Sequence, residues 1–128
     1  MKTAITLLAL SSLPALHAHE LPETMTHQDY ALALLDILSA TEMSLAQCTD
    51  EQSRDAQIPH LKELAASMQE LHQIQRKMPE PTIADYIAAE QHVGDFNTLW
   101  NAIKKHVQRL DEAQLYNEEM LQIIKLVH

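Results

Sequence analysis

The side chain of this sequence best suited to chemistry is histidine. Seven lie beyond residue 18: His19, His27, His60, His72, His92, His106 and His128. Imidazole binds metal near neutral pH. Two ligands on one helix must lie three or four residues apart to share a face. No two of these histidines have that spacing. His60 and His72 point about 120° apart on a helix, and His92 and His106 share a face about 21 Å apart. Met68 and His72 form the one close pair, although Met68 also fits an apolar seam. His19 is a separate case. A cut after Ala18 gives it a free amine beside its imidazole, a pair that chelates copper once a second ligand closes the site. His27 is the nearest such ligand, with Met25 beside it. The metal candidates are therefore His19, Met25, His27, Met68 and His72. Against them stands the plainer reading, solvated histidines flanking apolar faces.

Other chemistries find less support. Gly94 is the only glycine, so the chain has neither a phosphate-cradling loop nor a strained nucleophile elbow. Cys48 is the only cysteine and falls on an apolar seam away from any evident base. It cannot form an intrachain disulfide. It is either a small core residue or the link of a disulfide-bonded homodimer. Acidic residues are spread along helix faces. The expectation is a protein that is not an enzyme and has no cofactor.

Charge narrows the partners. The chain holds 18 acidic and nine basic residues, a net charge of −9. Such a molecule repels phosphate backbones and anionic lipid. Lys104, Lys105 and Arg109 form one small basic patch late in a helix, where cations suit the dipole. No nucleic acid is expected, and no membrane span, because no run is long and apolar enough.

The amino terminus has the order of a secretory leader. Lys2 precedes the apolar stretch 4–10, Pro14 breaks it, and Ala18 supplies the small residue beside a cut. The reading is a signal peptide over 1–18 and one mature domain over 19–128, periplasmic or secreted.

Helices must position whatever this domain does. Ala, Leu, Glu, Gln, Met and Lys dominate, and no alternation of period two persists. Three seams repeat at three- and four-residue steps, the rhythm of coiled-coil packing. The first is Ala31, Leu34, Leu38, Thr41, Leu45 and Cys48. The second is Leu61, Leu64, Met68, Leu71, Gln75 and Met78. The third is Tyr86, Ala89, Val93, Phe96, Trp100, Ile103, Val107 and Leu110. Capping residues set the bounds: Thr26 for the first helix, Thr49 or Ser53 for the second, Thr82 with Asp85 for the third. Pro59 predicts a kink or a broken first turn in the second. These signals give helices at about 26–48, 53–77, 82–114 and 118–127, the last capped by Asn117. The fold class is all-α, an antiparallel three-helix bundle with a long third helix and a short C-terminal one. The alternative, with its break at Asp111, is a four-helix up-down bundle. The long third helix overhangs its partners by about two turns, which the short helix can cover.

Two resemblances attach to these residues. "SRDAQIPHLKEL" (53–64), "MPEPT" (78–82) and "RLDEAQLYNEE" (109–119) resemble a pattern in small exported all-helical bacterial proteins of unknown function. It implies a turn after Tyr116 and no activity. The chain is also similar, in size, export signal and the placing of Met25 and His128, to periplasmic b-type cytochrome bundles. That likeness implies haem held by Met and His, but there is no Cys-x-x-Cys-His and His128 is the last residue. The reading from all of this is a protein-binding or structural module of the cell envelope, with an unidentified protein partner there or outside the cell. The alternative is a periplasmic metal- or haem-binding bundle. Exposure of Trp100 or Tyr30 would favour an interface, and Met25, Met43, Met68, Met78 and Met120 offer adaptable apolar surface.

Overall fold

A computed structural model describes residues 21–22 and 24–128. The leader and His19 lie outside them. The described residues are all-helical, with four helices and no strand: α1 (His27–Ala46), α2 (Glu51–Arg76), α3 (Ile83–Glu112) and α4 (Glu118–Val127). No helix among them is long and apolar enough to cross a membrane.

Local hydrogen bonding sets each start. Thr26 Oγ1 accepts from the backbone N–H of Asp29 at 3.0 Å. Thr82 and Asp85 form a reciprocal box at the head of α3, with Asp85 Oδ2 2.8 Å from the Thr82 N–H. Asn117 Oδ1 accepts from the N–H of Met120 at 2.9 Å. The second helix departs from expectation. Its cap is Asp50, neither Thr49 nor Ser53. Ser53 is the reciprocal partner, and its Oγ accepts from the N–H groups of both Thr49 and Asp50. Drawing Thr49 and Asp50 into that box ends α1 at Ala46, two residues short of the expected Cys48. Pro59 neither breaks nor delays α2, which begins eight residues before it and runs on to Arg76. The ring is exposed, so no neighbouring helix has to make room for it; the cost is one lost N–H donor and crowding of the Asp55 carbonyl one turn back.

The third helix stops in a Schellman motif. Gln114 adopts φ 61°. The N–H of Leu115 reaches back to the Leu110 carbonyl at 2.7 Å, and that of Gln114 to Asp111 at 3.0 Å. Leu110 and Leu115, the apolar pair of the motif, are both buried.

Packing centres on α1, which lies against both α2 and α3, while α4 lies against α2. Leu38, Leu45, Leu61, Leu71, Leu110 and Met120 have almost no exposed surface. Each such side chain contributes about 2–3 kcal/mol through burial. On the second seam Gln75 is exposed and Ile74, one position earlier, is buried in its place. Trp100 of α3 stacks on His128, ring centroids 4.8 Å apart, and ties the end of α4 to the middle of α3.

The cross-links between α1 and α3 all span 64 residues: Gln28 with His92, Glu42 with His106, Leu45 with Arg109. The two helices therefore run parallel in constant register. Continued upward, that register sets His27 level with Gln91, so α3 starts about eight residues, roughly 12 Å, ahead of α1. Contrary to the expectation from sequence, the short helix does not cover this overhang. It lies along α2, where Glu119 pairs with Lys62 at 2.7 Å, and its end meets α3 at Trp100.

Candidate functional site

The uncovered part of α3 forms one wall of an apolar groove of about 530 Å³, within the size range of ordinary ligand pockets. The α1 wall is Tyr30, Ala31, Leu34 and Leu35; the α3 wall is Tyr86, Ala89, Val93 and Phe96; Met78, Pro79 and Pro81 close one end. Each wall follows from helical spacing, since residues three and four apart share a face. The end is fixed because His27 Nε2 donates to the Pro79 carbonyl at 2.9 Å, which pins the α2–α3 loop to the head of α1.

Exposure changes sharply along α3. Ile83 is 78% exposed, Tyr86 62%, Ile87 59% and Val93 52%, whereas Ile103 is 1% exposed and Leu110 fully buried. The third seam is thus correct as a stripe and incorrect as a buried one over its first half. Large apolar side chains clustered in the open mark an interaction surface.

Polar groups rim the groove. His92, on the lining, meets Gln28 Nε2 through its Nε2 at 3.3 Å. The Asp85 carboxyl is held below the usual range, chiefly by the Thr82 N–H and also by His27 nearby. Burial pushes the Tyr30 phenol up.

The metal candidates within the described residues have separate surroundings. His19 is outside the described residues. Met25 packs half-buried against the core, and His27 is committed to the Pro79 carbonyl. Met68 is 1% exposed in the core. His72, one turn on, lines a shallow cleft between α2 and α4 with Arg76 and Lys125. Among the described residues no three His, Cys, Asp or Glu side chains lie close enough to hold a metal ion. His128 is stacked on Trp100. Cys48 is fully buried, its Sγ 3.5 Å from the Ser44 carbonyl, and burial pushes its thiol up. A disulfide to a second copy therefore needs the α1–α2 corner to open.

One conditional sign of an interface is not met, and one sequence expectation needs correction. Trp100 and Tyr30 are both half-buried and packed on the core, so neither argues for an interface; the open aromatic is Tyr86. Arg109 does not join Lys104 and Lys105 in a surface patch. It is half-buried and donates to the Cys48 carbonyl at 2.9 Å and the Leu45 carbonyl at 3.0 Å, satisfying the end of α1. It also lies 3.2 Å from His106 Nδ1. A guanidinium only donates, so Nδ1 accepts and Nε2 carries the proton, which it gives to Glu42 at 2.8 Å. This Glu42–His106–Arg109 chain clamps α1 to α3.

The groove itself was missed in the sequence. Its signal was present: an apolar stripe on the third helix that begins before any partner helix can reach it. Comparison with known protein families, curated proteins and solved structures finds no match to this chain.

Proposed function

We propose that this chain is an exported, non-enzymatic helical protein that docks a helical segment of a protein partner in the groove between α1 and α3. The carrying observation is the open apolar face on α3, from Ile83 to Val93, beside a groove whose end is pinned by the His27–Pro79 bond. Helix-in-groove recognition needs such a surface: apolar anchor pockets on a rigid frame with polar groups at the rim. In this reading α1, α2 and the lower half of α3 are a three-helix frame and α4 a short flank on α2. The order of Lys2, the apolar stretch 4–10, Pro14 and Ala18 supports export, and so places the partner in the envelope or outside the cell.

A photo-crosslinking residue placed at Tyr86 or Val93 tests the docking. Incubated with envelope extract, it yields a discrete protein adduct, while the same residue at Gln122, on α4, does not. Equal labelling from all three positions would mean that the α3 face has no special partner.

A further inference from the structure

We propose that the segment taken by the groove is a cationic amphipathic helix. The inference rests on the docking role just argued and adds the chemistry of the partner. It begins with where the charges lie. Between His19 and Ser53 there is no Lys or Arg, and there is none between Met78 and Ile103. The two helical walls come from these stretches. All of α1 carries only Asp29, Asp36 and Glu42 as charged residues besides histidine, and the first 21 residues of α3 carry only Asp85, Glu90 and Asp95. Beyond Lys2, every basic residue lies on α2, at its end, on the lower part of α3 or on α4.

Most of these carboxylates have no cation beside them; Asp85 accepts the Thr82 N–H and Glu42 bonds His106. Among the described residues the ion pairs to Lys or Arg are Arg54–Asp55 and Lys62–Glu119, while Glu63 and Glu42 each meet a histidine, His60 and His106. None uses Glu80 or Asp85 on the lining, or Glu90 or Asp95 on the α3 wall's helix. Glu80 and Asp85 lie on the groove lining itself, with Arg76 the one Lys or Arg there. Glu90 is four residues after Tyr86 and three before Val93, so it flanks the exposed apolar pair on the helix surface. The potential at the groove mouth is therefore negative, and it acts within a Debye length of about 8 Å at physiological salt.

Length and charge select the occupant. The α3 wall from Tyr86 to Phe96 spans about 15 Å, close to three helical turns. A helix lying there puts apolar side chains at i, i+3, i+4 and i+7 into the groove and its other faces over the acidic margins. Lys or Arg on those faces is attracted, and Glu or Asp is repelled. A second copy of this chain, with 18 acidic residues to nine basic ones, would bring like charge to like.

The test uses the purified full chain and three labelled helical peptides of about four turns. They share one leucine face, and their remaining positions are Lys, Gln or Glu. Binding is read by fluorescence anisotropy at low and high salt. The Lys peptide is expected to bind at least tenfold more tightly than the Gln peptide, with the Glu peptide weakest and the difference shrinking as salt rises. The double variant Tyr86→Ser, Val93→Ser keeps the net charge and changes only exposed positions; it is expected to lose at least tenfold in affinity for the Lys peptide. Glu90→Gln is expected to narrow the Lys-over-Gln preference. If the Gln or Glu peptide binds as tightly as the Lys peptide and the double variant abolishes that binding, the groove still docks helices and the cationic assignment is wrong. If the double variant binds the Lys peptide unchanged, the attraction is diffuse and both readings fall, as they do if no peptide binds. A concentration-dependent dimer in sedimentation, lost in the double variant, would make a second copy the occupant and overturn the proposal.

Discussion

Gln114 pays a local cost for the turn that ends α3. Its φ of 61° is a left-handed conformation in which an L side chain crowds the following carbonyl, while glycine is free of that penalty. The Schellman bonds and the buried Leu110–Leu115 pair hold it there. Gln114→Gly should therefore stabilise the fold by about 1 kcal/mol, read as a higher urea midpoint with unchanged slope. Asp50 and Asp85 illustrate a different local economy. Both carboxyls are held below their ordinary range, chiefly by a backbone N–H, from Ser53 and Thr82 respectively. A depressed folded value means that the stabilisation is complete above the unfolded value of about 3.9 and disappears as pH falls through the lower folded one. The variant Asp50→Asn, Asp85→Asn should thus lose less stability than the parent on acidification from about pH 5 to pH 2, as measured by denaturant midpoints across that range. Steeper acid sensitivity in the variant would contradict the capping account.

At the scale of elements, the clamp between α1 and α3 carries more than its surface suggests. Arg109 donates to the Cys48 carbonyl just past α1 and adds a second donor to the Leu45 carbonyl, which also accepts from the Cys48 N–H, and it fixes the tautomer that binds Glu42. Arg109→Met keeps much of the apolar stem and removes these bonds. It should destabilise the fold by about 2 kcal/mol, since hydrogen bonds from a charged donor contribute roughly 1.5–3 kcal/mol when little exposed; Arg109→Lys should recover only part, because an ammonium lacks the planar fork. Thermal or urea unfolding of the two variants checks the order. Such a clamp was not legible in the sequence. Glu42 and Arg109 are 67 positions apart, and nothing local distinguishes Arg109 from Lys104 or Lys105. What was legible is what neighbouring residues decide between themselves: the Thr82–Asp85 box, the Asn117 cap and the seam positions Leu38, Leu45, Leu61 and Leu71. The misplaced start of α2 has the same origin. Thr49, Asp50 and Ser53 can each cap, and the choice follows from how Ser53 folds back on two N–H groups at once.

The whole molecule shows why a correct stripe gave an incorrect burial. Period tells which face of a helix is apolar and is silent on whether anything lies opposite. Below Trp100, α3 has α1 beside it and the end of α4 stacked on it; above, it has only the head of α1 and the α2–α3 loop. The upper half should therefore open more readily than the lower. Local stability follows buried contact, and here Ile103 and Leu110 are sealed while Ile83, Tyr86 and Val93 face water. Native-state hydrogen exchange read residue by residue should give a gradient along one continuous helix: amides from about 87 to 96 exchange through low-energy local opening, and those from 103 to 110 only near global unfolding. Gly94→Ala sharpens the test. A Cβ at Gly94 meets nothing within 4 Å, so the substitution adds about 1 kcal/mol of helix propensity without new contact. It should slow exchange in the upper half and leave the lower half ordered above it as before. Uniform protection along α3 in the parent would mean that the upper turns already have a partner within the molecule, and the groove would lose its claim to be an empty seat.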